Sequence, residues 1–433
     1  MFLIYTHKIT NRLDFILDFV FAKNFGLDYR ITTLREEFCS YDGPKLNYSF
    51  ETFDDIINIQ PKLLLSQEDI TPQHIDVEEF NGTAILFPVE RGVLPFDIFS
   101  ASFYLITRYE EYISSKVDRF GRFDPRSSIA WQKGFLTEPV VNIWISWLKD
   151  IIFKTYPELT LAEPKYKFVP TIDIDNAYAY INKGFFRQTG GLVRSFLKAD
   201  FKDFSNRLKV YLGSQKDPYD TYDILDQIHE KYELSPYYFF LLANYGGHDK
   251  SVPYNNKEFQ ELIQNRAQNH IVGAHPSFSS FVDFSVLQHE VSVLSEIIGK
   301  DIENSRFHFV KFSLPGSYDN LLNLGIQNDF SMGYPSRIGF RTGYAGDVNF
   351  FNLKTNKVTP LVVHPFHVMD AALNLYMKLS PDEAVTQARN LINKVKEVNG
   401  TFTLLWHNES LCGCGQWQGW ESVYEQIVRH AIE

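Results

Sequence analysis

Cysteine is scarce in this 433-residue chain: Cys39, Cys412 and Cys414 are the only three. Three cysteines cannot build a disulfide framework, and Cys412-x-Cys414 alone is too few ligands for a zinc site, so the pair reads as a turn. Long apolar runs are missing too. No stretch reaches the roughly 18 apolar residues of a membrane span, and Met1-Phe-Leu-Ile-Tyr-Thr6 passes into polar residues without a cleavage pattern. Positive charge is in deficit: the formal net charge is −11, which argues against nucleic acid as the main partner. Internal repeats and low-complexity tracts are absent. These absences leave an ordinary globular chain, expected to be cytoplasmic, with no membrane span and with an oligomeric state the sequence does not give. What is abundant is aromatic: 38 Phe and 24 Tyr suit dense cores and sugar stacking.

The length suits two domains. Residues 1–160 carry short strand-like pieces (Phe2–Tyr5, Tyr29–Leu34, Leu46–Phe50, Ala84–Phe87) and a first helix that Asn11 could cap and Gly26 closes, so they read as a smaller α/β domain. Leu94–Tyr112 reads as one aromatic helix carrying Arg108, Glu110 and Glu111, expected to dock this domain on the next. A polar loop, Asp118–Arg126, and an amphipathic helix, Val140–Phe153, follow. From Lys165 the pattern alternates between strand and helix: strands at Lys167–Asp175, Pro236–Ala243, Ile271–His275, Arg306–Val310, Asp329–Tyr334, Leu361–His364 and Thr401–His407. The best-signalled helix starts at Ser380, with Pro381 at its first position, Glu383 completing a capping box and Gly400 at its end. The expected fold class is α/β. Seven strands alternating with helices imply a parallel sheet, closed as a β/α barrel or doubly wound.

The chemistry gathers at Phe168-Val-Pro-Thr-Ile-Asp173-Ile-Asp175-Asn176. Alternation along a strand puts Asp173 and Asp175 on one side, and two acids there are costly unless a metal, a cation or solvent receives them. The bland alternative is an acidic turn cap. In a parallel barrel the active site forms at the C-terminal strand ends. There the sequence places Asp173 and Asp175, then His275-Pro-Ser-Phe-Ser279, Arg306-Phe-His308, His364-Pro-Phe-His367 and Trp406-His407-Asn408-Glu409. Any one of these histidines alone would read as structural; their shared rim reads as a site.

In that order the residues resemble the polysaccharide deacetylases of carbohydrate esterase family 4, in a bacterial branch with an extra N-terminal domain. Ser313-Leu-Pro-Gly-Ser-Tyr318, Asp329-Phe-Ser-Met-Gly-Tyr334, Gly339-Phe-Arg341-Thr-Gly343, Val368-Met-Asp370 and Arg108-Tyr-Glu-Glu-Tyr112 carry the narrower likeness. The resemblance implies a seven-stranded distorted β/α barrel at 165–433 behind an accessory domain at 1–160. It implies removal of N-acetyl, or O-acetyl, groups from a sugar in a polysaccharide or glycan precursor. One divalent metal would be used, zinc first, with manganese, cobalt or nickel as alternatives. Asp173 would be the base, Arg306 its orienter and His407 the acid. Asp175, His275 and the residue at 279 would hold the metal, and Trp406, Asn408, Arg341, Tyr334 and His308 would contact the carbohydrate.

One position departs from the family: its second metal histidine is Ser279 here, and a serine hydroxyl is a poor zinc ligand. Three outcomes stay open. Asp175, His275 and water hold the metal weakly; His308, His364 or His367 moves in; or a catalytically silent barrel binds glycan or a protein partner. A glycosidase would need two opposed carboxylic acids, with only Asp173 and Asp370 or Glu409 to supply them, and ranks last. The basic stretch Lys183–Lys209 reverses the chain's acidity locally and reads first as a solvated helix face.

Overall fold

The computed structural model describes residues 1–433. Strands β1 (Phe2–Tyr5), β2 (Tyr29–Thr32), β3 (Lys45–Tyr48) and β4 (Ile57–Ile59) pair in parallel in the order β2-β1-β3-β4. β1 is apolar throughout and wholly buried, as a central parallel strand must be. β5 (Val77–Phe80) and β6 (Thr83–Leu86) form a hairpin. Its turn, Asn81-Gly82, takes positive φ at both residues, the geometry that this dipeptide favours.

Two local expectations change. Thr10, not Asn11, caps the first helix: Thr10 has extended backbone and its hydroxyl accepts from the Leu13 N–H, whereas Asn11 is already helical. The aromatic segment is two helices, Ile98–Ile106 and Tyr109–Ile113, broken at Arg108, which sits at φ 54°. The break lets buried Arg108 reach both Glu110 (2.6 Å) and Glu111 (2.7 Å). Glu111 in turn pairs with Arg341 through both its oxygens, at 2.8 and 2.7 Å, tying the first 160 residues to the rest.

The second sheet comprises β7 (Lys167–Ile174), β8 (Tyr237–Phe240), β9 (Ile271–Ala274), β10 (Asn304–Ser305), β11 (Asn328–Asp329), β12 (Val348–Asn352), β13 (Lys357–Val363), β14 (Val368–Met369) and β15 (Thr401–His407). Their order is β12-β13-β11-β10-β9-β8-β7-β15-β14, and every pairing is parallel except that of β12, an edge strand absent from the sequence reading. β13 and β14 lie at or near opposite edges, yet only residues 364–367 separate them. In that segment the His364 N–H donates to Asp329 O on β11's side (2.8 Å), and the His367 N–H to Thr403 O of β15 (3.0 Å).

The strand expected at Arg306–Val310 is not formed, the two-residue β10 ending just before it at Ser305, and the one expected at Asp329–Tyr334 stops at Asp329, the last residue of β11. Beyond Ser305 the chain turns sharply, with Phe309 and Val310 at φ 58° and 55°. A β-branched residue there is strained, and such outliers collect at functional sites. The Ser380 capping box forms as expected, on a helix spanning Pro381–Glu397. The main hydrophobic core draws on both sheets, with Phe351 of β12 packed on Phe15 (4.9 Å) and Phe103 (5.3 Å), while Leu3, Tyr5 and Phe38 form a small separate cluster. No helix is long and apolar enough to cross a membrane.

Candidate active site

β7 brings the two acids to the C-terminal end of the sheet. Asp173 is buried and accepts from the Arg306 guanidinium (2.8 Å), which also donates to Thr171 Oγ1 (2.7 Å) and to the Phe330 carbonyl (2.9 Å). That guanidinium lies over the Phe239 ring (4.7 Å), and Phe239 fits only because its neighbour across the ladder is Gly273, where a Cβ would come within 2.7 Å of the ring. Arg306 is therefore held through Nε and Nη1 and by the ring beneath it, while its buried Nη2 has no hydrogen-bond partner, and burial pulls its pKa down against the pull of Asp173.

Asp175, one turn of the pleat further, is the meeting point of three histidines. Its Oδ1 lies 3.0 Å from His275 Nε2, and its Oδ2 lies 3.2 Å from His308 Nε2 and 3.7 Å from His407 Nε2. The other nitrogen of each ring is committed. His275 Nδ1 donates to the Arg306 carbonyl (2.5 Å), His308 Nδ1 to Asp249 (2.9 Å) and His407 Nδ1 to Asp370 (2.7 Å). Those bonds fix the tautomers and leave the Nε2 atoms of His275 and His308 facing a carboxylate.

In neutral rings, two lone pairs would be aimed at an anion, an arrangement that a cation between them relieves. Outer acceptors that orient imidazoles in this way are what metal-binding histidines have. Asp175, His275 and His308 lie close enough to share one ion, and the oxygen and two nitrogens are a donor set that suits zinc.

The charges follow. Burial would raise the Asp175 carboxyl, but His308 and His407, with hydrogen bonds from His275 and His308, hold it well below the usual carboxylate range. Burial would lower His308; Asp175 and Asp249 outweigh it and push it up to about 9. His407 is likewise held well above its ordinary value, against burial, by Asp370 and Asp175. Asp370 accepts from the His407 backbone N–H (2.8 Å) and from the Ser410 hydroxyl as well. Glu409 is raised to about 7 by burial and by the nearby Asp175.

These groups line a cavity of about 190 Å³. Sites for drug-sized ligands begin at about 300 Å³, so this one takes a small group. Asp173, Asp175, His275, His308, His407 and Glu409 make one wall. Phe309, Leu375, Tyr376 and Trp417 make an apolar one. Arg122 enters from the Asp118–Arg126 loop, donating to Asp118 (2.8 Å), to the Phe309 carbonyl (2.9 Å) and to the Tyr376 hydroxyl (3.2 Å).

Other expected residues lie elsewhere. The Ser279 hydroxyl bonds Ser277 (2.9 Å) and Asp249 (3.4 Å) and is not in the ligand cluster. His364 is held between Asp347 (2.8 Å) and Asn328 (2.9 Å). His367 is buried, accepting from the Thr403 N–H. Of the five expected carbohydrate contacts only His308 lines the cavity. Trp406 is buried against Tyr424, and Asn408 ties down Asn176 and Tyr219 through their carbonyls. Arg341 belongs to the Glu111 pair, and Tyr334 is buried beside it.

Asp249 and Arg122 were missed as site residues. Asp249 follows β8, a strand end that carries no histidine of its own in the cavity, and Arg122 sits in a loop far from any strand of the second sheet. A His248-Asp249 pair just past a predicted strand was the available signal.

Residues 2–157 match a family of unknown function, DUF7033. No curated protein matches the chain. Among solved structures, a presumed polysaccharide deacetylase from Mycobacterium smegmatis aligns over 63% of this chain and 85% of its own, at 13% identity and a TM-score of 0.41. The polysaccharide deacetylase Bc1974 from Bacillus cereus aligns over 62% and 86%, at 13% identity and a TM-score of 0.31. The Xyl-CE4 domain of a multidomain xylanase from the hindgut metagenome of Trinervitermes trinervoides aligns over 62% and 82%, at 11% identity and 0.28. At such scores the role of each residue rests on the geometry above.

Proposed function

We propose that the chain is a metal-dependent hydrolase that removes acetyl groups, N-linked first, from a sugar of a polysaccharide or glycan precursor. The observation that carries this reading is the convergence of His275 and His308 on Asp175, each ring with its Nδ1 already donating. Asp175, His275 and His308 would hold one divalent ion, zinc first, which when bound polarises an acyl carbonyl and eases deprotonation of water.

The remaining work falls to the chain. Asp173, kept as an oriented carboxylate by Arg306, takes the proton of the attacking water. His407, held protonated by Asp370, gives a proton to the departing nitrogen as the carbon–nitrogen bond breaks, so acetate and a free amine leave. The apolar wall of Phe309, Tyr376 and Trp417 offers the faces against which a sugar ring packs.

The fold is consistent with this reading. Counting β13 and β14 as one strand interrupted at 364–367 leaves seven parallel strands, which supports reading 165–433 as a (β/α)7-type barrel and 1–160 as its accessory domain. A silent barrel was favoured by Ser279; that argument weakens because His308, from the turn after β10, stands where a second imidazole is needed.

The test is metal content and acetate release from N-acetylglucosamine oligomers. Stoichiometric metal lost in Asp175→Ala, with metal kept but acetate release lost in Asp173→Asn and His407→Ala, supports the proposal. Background acetate release from N- and O-acetylated sugars after loading with zinc, cobalt, manganese and nickel in turn would sink it.

A further inference from the structure

Ten residues beyond Asp175 the chain begins a helical hairpin, Phe185–Leu197 and Phe201–Tyr211. Its inner side is anchored. The Tyr180 hydroxyl donates to Asp203 (2.9 Å), Arg187 to the Ser251 carbonyl (2.9 Å) and the Tyr211 hydroxyl to Gln188 O (3.3 Å). Its outer side is apolar and bare. Phe186 is 88% exposed, Leu197 77%, Phe185 73% and Phe201 63%, and no other segment of similar length exposes so much large apolar surface. Phe186, Val193 and Leu197 are spaced i, i+7, i+11, so they form one stripe along the helix, with Phe185 and Phe196 beside it.

The charge around that stripe is the reverse of the chain's. Residues 183–209 hold seven Lys or Arg against two Asp, a net of +5 within a protein of net −11. Arg194, Lys198, Lys202 and Lys209 are exposed and form no ion pair. An amphipathic helix with Phe and Leu on one face and Lys and Arg around it lies in the plane of a bilayer interface, its apolar face among the acyl chains and its cations near anionic headgroups. Within an acidic chain, a local cluster of unpaired cations has little use unless its partner is anionic.

We infer that the 185–211 hairpin docks the protein on an anionic lipid surface. Phe186, Val193, Phe196 and Leu197 insert between headgroups, while Arg194, Lys198 and Lys202 engage lipid phosphates. Docking needs none of the residues assigned to the cavity, so it stands or falls apart from the deacetylase reading.

The experiment is flotation of the full chain with vesicles of phosphatidylcholine alone and of phosphatidylcholine mixed with phosphatidylglycerol. Binding to the mixed vesicles only, reduced by added salt, is the expected result. Phe186→Ser/Leu197→Ser, both at exposed positions, should abolish flotation without lowering the melting temperature. Arg194→Gln/Lys198→Gln/Lys202→Gln should weaken partition by about fivefold per charge removed. Absence of flotation, or salt-insensitive binding equal on both vesicle types, overturns the inference. So does a concentration-dependent dimer that F186S/L197S dissolves in a chain that binds no vesicle, since the face would then belong to a second copy.

Discussion

Asp249 and His308 lie 59 residues apart in the chain, yet their side chains meet in a 2.9 Å hydrogen bond that turns His308 Nε2 toward Asp175. The same carboxylate accepts from the Phe278 N–H (2.9 Å) and, more loosely, from Ser279. One acid thus sets the loop that follows β9 and the histidine that follows β10.

Metal affinity should depend on that acid. Asp249→Ala is expected to weaken zinc binding by about 10- to 100-fold, the usual effect of losing a ligand's outer partner, and Asp249→Asn by about tenfold. Ser279→Ala should leave affinity within about twofold, because its hydroxyl points at Ser277 and Asp249. Titration calorimetry on chelator-stripped protein reads all three. Unchanged affinity in both Asp249 variants removes His308 from the ligand set.

Asp370 should set the alkaline limit of activity. Its charge, with that of Asp175, raises His407, so a reaction that uses protonated His407 is active below the raised pKa and fades as pH climbs through it. Asp370→Asn lowers that pKa, and the alkaline limb of kcat should move to lower pH by about one unit or more. An unmoved limb would mean that another group is the acid.

Glu290 makes folding sensitive to pH. It is buried, accepts from the Ser277 N–H (2.9 Å), and is raised to about 7 by burial. A carboxyl raised in the fold binds its proton more tightly there than when unfolded. Its stabilising share is complete below its ordinary value and is lost as pH rises through the folded value. Relative to Glu290→Gln, the wild type should lose about 2 to 3 kcal/mol between pH 5 and pH 8. Urea melts at the two pH values measure this, and parallel curves would refute it.

Glu111 should matter more than any exposed acid. Glu111→Ala leaves Arg108 and Arg341 buried with one counter-charge removed, a loss of about 3 to 5 kcal/mol. A denaturant midpoint shift worth less than about 1 kcal/mol would show that the pair is not holding the two sheets together.

The sequence made some of this legible and hid the rest for physical reasons. β7, β15 and the Ser380 helix could be read because apolar periodicity and capping chemistry are local. Asp173, Asp175, His275 and His407 could be placed on one rim for the same reason, since they end or follow clear strands. His308 was legible only as one of three rim histidines able to stand in for Ser279; nothing local announces that Phe309 and Val310 take positive φ, or separates His308 from His364 and His367. The break at Arg108 was hidden as well, because it is set by Glu111 and by Arg341, 233 residues away. Trp406, Asn408, Arg341 and Tyr334 carry family-like motifs, yet burial assigns them to packing, which only the tertiary structure reveals.

Arg122 reaches the cavity from the part of the chain that matches the uncharacterised family, and it grips both Phe309 and Tyr376. The first 157 residues therefore do not merely precede the cavity; through Arg122 they complete its wall. Grafting another leader segment onto residues 165–433 would keep Asp175 and its histidines but change the shape offered to a ligand. Ligand preference and the first half of the chain must be inherited together.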